Sequence, residues 1–117
     1  MKWLIISLLV SLGCTTHPID TGEINRQVEK SLHVQHSVTV NVVFGEYADI
    51  ARYHKALYGT TTTLPGFYCM KNSTVYCIRN KTVATHEITH GITTKLYPML
   101  PPYIHEILAW HVVNDMR

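Results

Sequence analysis

The sequence has few charged residues and no cluster of basic ones. Charged residues make up 15% of the 117 residues, and ten Lys and Arg against eight Asp and Glu give a formal net charge of +2. So small a positive charge, scattered along the chain, argues against nucleic-acid binding. Because 46% of the residues are hydrophobic, the chain is expected to be globular rather than disordered. Its length allows one domain at most.

The sequence also lacks an apolar run long enough to cross a membrane. The apolar stretch 3–12 follows Lys2 and has about ten residues, whereas a spanning helix needs about 20. This stretch, ending at Cys14, is similar to the signal peptides of bacterial lipoproteins. That resemblance implies lipidation of Cys14 and export to the bacterial cell envelope, held to a membrane by the lipid. An ordinary secretory signal or an uncleaved N-terminal anchor is the alternative. We therefore predict a signal at 1–14.

The rest of the chain divides into a tether and a domain. Residues 15–21 are polar and suit a tether, and residues 22–117 form the predicted domain. Cysteines are few: besides Cys14 there are Cys69 and Cys77, an even number in a chain predicted to be exported. This favours a disulfide between them, and two separate buried thiols are the alternative.

Hydrophobic periodicity predicts an α+β fold with a short antiparallel sheet. In the predicted hairpin, turn residues 71–74 bring Cys69 near Cys77 across the two strands. The following helix can be capped by Asn80 or Thr82. The predicted elements are helix 22–36, strand 37–44, helix 46–57, hairpin 67–79, helix 80–96 and helix 103–115.

The strongest functional signal is the run His86-Glu87-Ile88-Thr89-His90. In a helix, His86 and His90 lie about one turn apart on the same face, as two ligands of one cation require. Glu87 lies roughly 100° around the helix, where it can contact water held by the metal. Two imidazoles suit Zn²⁺ and leave room for a third protein ligand and solvent. Two surface histidines beside a solvated carboxylate are the alternative.

The third ligand has to come from outside this helix turn. The metzincin pattern is absent, because Leu96 stands where its third His would be and Thr93 replaces its glycine. Glu106 lies 16 residues after His90, and a Pro-rich connector lets its helix fold back antiparallel to the motif helix. Glu106 is therefore the candidate; otherwise it is a surface carboxylate, and an Asp, a His or solvent completes the site.

Three segments resemble the gluzincin superfamily of zinc metallopeptidases, in particular its compact members. These segments are 75–78, 85–91 and 102–109. The resemblance implies a small zincin-like domain with one Zn²⁺ bound by His86, His90 and Glu106. It also implies Glu87 as general base in the hydrolysis of peptide or protein substrates.

The resemblance further implies that the strand before the motif helix pairs with an extended substrate. That strand is Val75, Tyr76, Cys77 and Ile78. Tyr103, Tyr97 and His111 are candidate donors to the oxyanion, and His105 is expected to face solvent. Two positions depart from the superfamily pattern: Trp110 occupies the place of an acidic partner, and Ile107 that of a glycine.

A second function remains open at this point. The alternative to the peptidase is a small surface lipoprotein that binds zinc for structural reasons, or binds a partner protein, without hydrolysis. The sequence leaves the substrate and the oligomeric state undetermined.

Overall fold

The structure, a computed structural model, describes residues 18–117. The predicted signal 1–14 and Cys14 lie outside the described residues. Residues 18–117 form four helices and three strands, which confirms the predicted α+β class. In chain order the elements are α1 (Thr21–Ser31), β1 (Asn41–Phe44), α2 (Tyr47–Tyr58), β2 (Gly66–Cys69), β3 (Thr74–Cys77), α3 (Lys81–Leu96) and α4 (Pro102–Asp115).

The sheet is mixed, and the predicted antiparallel sheet is wrong in this respect. The strand order is β1-β3-β2, with β3 parallel to β1 and antiparallel to β2. The physical reason is the connection: α2 and β2 lie between β1 and β3 in the chain, and parallel strands need such a crossover. As a result β3 is the central strand, and β2 lies at an edge.

Two hydrophobic clusters fill the space on the two faces of the sheet. On one face α2 places Ile50 against Phe67 and Cys69 of β2. On the other face Ile88 and Ile92 of α3 pack with residues of α1 and β3. Helix α4 packs along α3. The motif helix is thus held between the sheet and α4.

The predicted strand 37–44 is too long at its start. Asn25, buried on α1, donates its side-chain N–H to the carbonyl of Val38 (2.8 Å) and accepts from the N–H of Val40 (3.1 Å). These backbone groups are therefore satisfied by a side chain and not by a neighbouring strand. Helix α1 also ends earlier than predicted, at Ser31.

The hairpin forms, but the predicted disulfide between Cys69 and Cys77 is wrong. Cys69 pairs with Thr74 and Cys77 with Gly66, so the two cysteines lie at opposite ends of the hairpin. They also face opposite sides of the sheet, because Cys69 packs in the α2 cluster and Cys77 in the α3 cluster. Both are free, buried thiols. The pairing differs from the predicted one because the loop is 70–73, one residue earlier.

Helix α3 is stabilised by its own side chains despite its many threonines. Asn80 caps the helix, accepting from the N–H of Val83 at 3.0 Å. The buried hydroxyls of Thr85 and Thr89 donate to carbonyls one turn earlier, at 2.8 and 2.7 Å. Burying these hydroxyls therefore leaves no unsatisfied donor behind.

Among residues 18–117, no helix combines the length and apolar character that a membrane span requires.

Candidate metal centre

The side chains of His86, His90 and Glu106 converge on one point. Glu106 Oε1 lies 3.0 Å from His86 Nε2 and 2.6 Å from His90 Nε2, and the two Nε2 atoms are 3.1 Å apart. The two rings come from successive turns of α3, and the carboxylate comes from α4, which runs back along α3. The structure thus brings together the three residues that the sequence predicted as ligands.

This cluster could hold a metal ion. Around a tetrahedral zinc with bonds of 2.0–2.1 Å, neighbouring ligand atoms are separated by about 3.3 Å. The three observed distances, from 2.6 to 3.1 Å, are shorter by a few tenths of an ångström to 0.7 Å. Zinc binding would therefore require the three atoms to move apart by that amount. Two imidazole nitrogens and one carboxylate oxygen are also a donor set that zinc binds.

The local electrostatics favour the neutral form of His90 and the ionised form of Glu106. Burial lowers the pKa of His90, although its hydrogen bond with Glu106 acts in the opposite direction. For Glu106, burial acts to raise the pKa, but the hydrogen bond to His90 and the nearby imidazoles outweigh it and lower the pKa. Neutral imidazole and carboxylate are the forms that bind a metal.

The His86 ring contacts Trp110, and only one of its two nitrogens has a hydrogen-bond partner. The Trp110 ring lies 4.5 Å from the His86 ring, centroid to centroid. The Nδ1 atom of His86 is buried and has no hydrogen-bond partner in the described residues. A ligating His usually donates this second N–H to an acceptor. Trp110, whose ring is tilted by 58° to that of His86, contacts the imidazole but offers Nδ1 no acceptor, because the indole N–H is only a donor.

Glu87 lies in the same cleft as the three candidate ligands. The cleft has a volume of about 510 Å³, and its walls are mainly apolar. Burial and the negative charge of Glu106 raise the pKa of Glu87 to about 7. A carboxyl group with such a pKa can exchange a proton near neutral pH. The lining residues are Leu64, Pro65, Gly66, Phe67, Tyr68, Met70, Thr82, Val83, His86, Glu87, His90, Thr94, Glu106 and Trp110.

The three predicted oxyanion donors do not line this cleft. Tyr97, Tyr103 and His111 are exposed and absent from its walls. The tyrosine that does line it is Tyr68 on β2, which sequence reasoning missed. Because side chains alternate along a strand, the sequence predicts that Tyr68 and its two neighbours point to opposite faces of the sheet. It does not tell which of the two faces α3 covers.

The prediction that an extended substrate pairs with the strand before the motif helix is wrong, because that strand is in the centre of the sheet. The predicted residues were Val75, Tyr76, Cys77 and Ile78. β3 has β1 on one side and β2 on the other, so its ladder groups are already paired. Of the two edge strands, β1 and β2, it is β2 that lines the cleft, through Gly66, Phe67 and Tyr68.

Two further groups near the site differ in chemistry from their first interpretation. His105, expected to face solvent, is buried and bonds to Thr93. Burial, with a contribution from Glu87, raises the pKa of the Cys77 thiol to about 12. Cys77 is therefore a protonated thiol at neutral pH and not a thiolate nucleophile.

Comparison of the whole chain with protein-family models, with curated proteins and with solved structures finds no match.

Proposed function

We propose that the protein is a zinc-dependent peptidase in which His86, His90 and Glu106 hold the metal and Glu87 moves the proton. The observation that supports this most is the convergence of three ligand atoms in a cleft that also contains a buried carboxyl group. An isolated H-E-x-x-H run would not place Glu106 within 3.0 Å of both rings.

The proposed reaction is the addition of water to a peptide carbonyl, followed by cleavage of the C–N bond. Zinc in such a site supplies Lewis acidity, which acidifies water and polarises a carbonyl. Glu87 accepts a proton from the attacking water and returns it to the leaving amine nitrogen. Tyr68 is the cleft residue whose hydroxyl can donate to the developing oxyanion.

The substrate is proposed to extend along β2. The N–H of Ile78 bonds to the carbonyl of Pro65, which fixes the alternation of hydrogen bonds between β2 and β3. By this alternation the backbone groups of Gly66 and Tyr68 point to the open edge. A peptide in extended form can pair with them and lie across the metal centre.

The test separates metal binding from chemistry. Glu87→Gln should keep about one zinc per chain and lose hydrolysis of a fluorogenic peptide library, since it removes the proton acceptor and no ligand. His86→Ala should lose both. A wild-type protein that binds zinc and cleaves nothing in the library would contradict the peptidase proposal.

A non-catalytic zinc-binding protein is the second candidate. The observation that favours it is the buried Nδ1 of His86, which lacks the acceptor that orients a metal-ligating imidazole and supports activity. Under this alternative Glu87→Gln and the wild type bind zinc equally and neither hydrolyses peptides.

A further inference from the structure

His105 and Thr93 join α4 to α3 beside the metal centre. Nδ1 of His105 lies 2.8 Å from Oγ1 of Thr93. His105 is 8% exposed and Thr93 is fully buried. The contact is therefore shielded from water, which strengthens a hydrogen bond.

Thr93 has a second contact, within its own helix. The Thr93 hydroxyl donates to the backbone carbonyl of His90 at 3.4 Å, a long contact. The tautomer of His105 decides whether its Nδ1 donates to the Thr93 hydroxyl or accepts from it, and in both cases the contact joins the two side chains. The chain of contacts thus runs from His105 through Thr93 to the backbone of His90.

Glu106 needs a neighbour that sets its direction. Its side chain is 48% exposed, and its hydrogen bonds go to the rings of His86 and His90. His105 precedes Glu106 on α4, about 100° around the helix. Fixing the ring of His105 against α3 therefore fixes the rotation of α4 at which Glu106 faces the two imidazoles.

We propose that His105, acting through Thr93, is a positioning residue for Glu106 at the metal centre. This inference rests on the metal binding proposed above. It assigns a function to a buried polar pair that the proposed chemistry itself does not use.

The experiment compares the removal of two buried hydroxyls from the same helix. Thr93→Val removes the contact with His105, whereas the control Thr89→Val removes a hydroxyl that bonds inside α3 to the carbonyl of Thr85. Thr93→Ser keeps the hydroxyl. The readouts on the purified full-length chain are Zn²⁺ affinity by competition with a chromophoric chelator, and the visible absorption of the Co²⁺-substituted protein.

We expect Thr93→Val to weaken Zn²⁺ binding about tenfold or more and to change the Co²⁺ spectrum, as loss of a residue that orients a ligand does. Thr89→Val and Thr93→Ser should stay within about threefold of the wild type, because Glu106 keeps its direction. Equal affinities for Thr93→Val and Thr89→Val would overturn the inference.

A second variant covers the case in which Thr93→Val does not fold. His105→Phe keeps a ring in the buried position and removes the hydrogen bond, and it should show the same loss of affinity and the same spectral change. Wild-type affinity in His105→Phe would refute the positioning role alone. Failure of the wild type to bind zinc would refute the proposed metal site itself, and the positioning role with it.

Discussion

Glu87 holds its carboxyl group among apolar walls and close to a second carboxylate. The pKa of Glu87 is raised from 4.5 to about 7, mainly by burial and to a smaller extent by the charge of Glu106. In the folded, metal-free protein the proton is therefore bound more tightly than in the unfolded chain. A cation beside Glu87 would favour the ionised form instead, so metal binding and the state of this proton are linked.

This shift predicts how the stability of the chelator-treated protein depends on pH. Because the folded pKa is raised, the stabilisation is fully present below about pH 4.5 and is lost as pH rises to about 7. The free energy of unfolding of the wild type, relative to Glu87→Gln, should fall by about 3 kcal/mol across this window. Urea unfolding at several pH values measures it.

Glu87→Gln is the matched control because it retains His90 and Glu106, whose shifted pKa values affect both proteins alike. Parallel stability curves for the wild type and Glu87→Gln would contradict the raised pKa of Glu87.

At the scale of elements, the cleft depends on the close approach of β2 to α3. A Cβ added at Gly66 would lie 2.8 Å from the Cβ of Cys77, 3.1 Å from Val83 and 3.2 Å from Cγ of Glu87. The first contact is between a strand and its neighbour in the sheet, and the others involve the motif helix. A side chain at position 66 therefore pushes β2 away from β3 and from α3, and so disturbs the wall of the cleft.

Gly66→Ala should consequently destabilise the protein by about 1–3 kcal/mol through overpacking. Gly22→Ala is the control, because a Cβ there meets nothing closer than 3.4 Å and α1 gains a better helix former. Thermal unfolding of the two variants tests the difference. Equal stabilities would mean that β2 can move away from α3 without cost.

The orientation of the hairpin predicts the state of its cysteines. Since Cys69 and Cys77 point to opposite faces of the sheet, no bond can form between them without refolding the hairpin. Both should react with a thiol reagent when the protein is denatured in the absence of reductant, and mass spectrometry of the labelled peptides identifies them. A peptide pair linked through these two residues would contradict the strand register.

The elements show what the sequence could and could not predict. The motif helix, its Asn80 cap and the ligand pairing with Glu106 were predictable, because they depend on spacing within two helices and a short connector. It was not predictable that β2 has a free edge at the cleft, since this depends on whether β1 pairs with β2 or with β3. That choice is made by long-range packing, and the same choice decided that Tyr68 and not Tyr103 lines the cleft.

At the scale of the whole molecule, the described residues place the sheet edge and two antiparallel helices around one cleft. Both walls contribute apolar side chains, and the cluster of His86, His90 and Glu106 that could hold a metal lies in the cleft. The attachment of this domain to a membrane stays a prediction from Cys14 and the stretch before it.

Lipidation is tested by mass spectrometry of the mature N-terminus. We expect the wild type, expressed in a bacterial host, to begin with a lipid-modified Cys14 and to fractionate with membranes, because acyl chains partition into bilayers. Cys14→Ala should lose the modification and the membrane association. A wild-type N-terminus produced by cleavage at another residue would contradict the prediction.

The central claim is that two imidazoles and one carboxylate share a single cation. Zinc K-edge X-ray absorption of the zinc-loaded protein tests it most directly. We expect nitrogen and oxygen neighbours at about 2.0–2.2 Å with the scattering pattern of two imidazole rings. A sulfur neighbour at about 2.3 Å, a single imidazole, or a protein that takes up no zinc would contradict it.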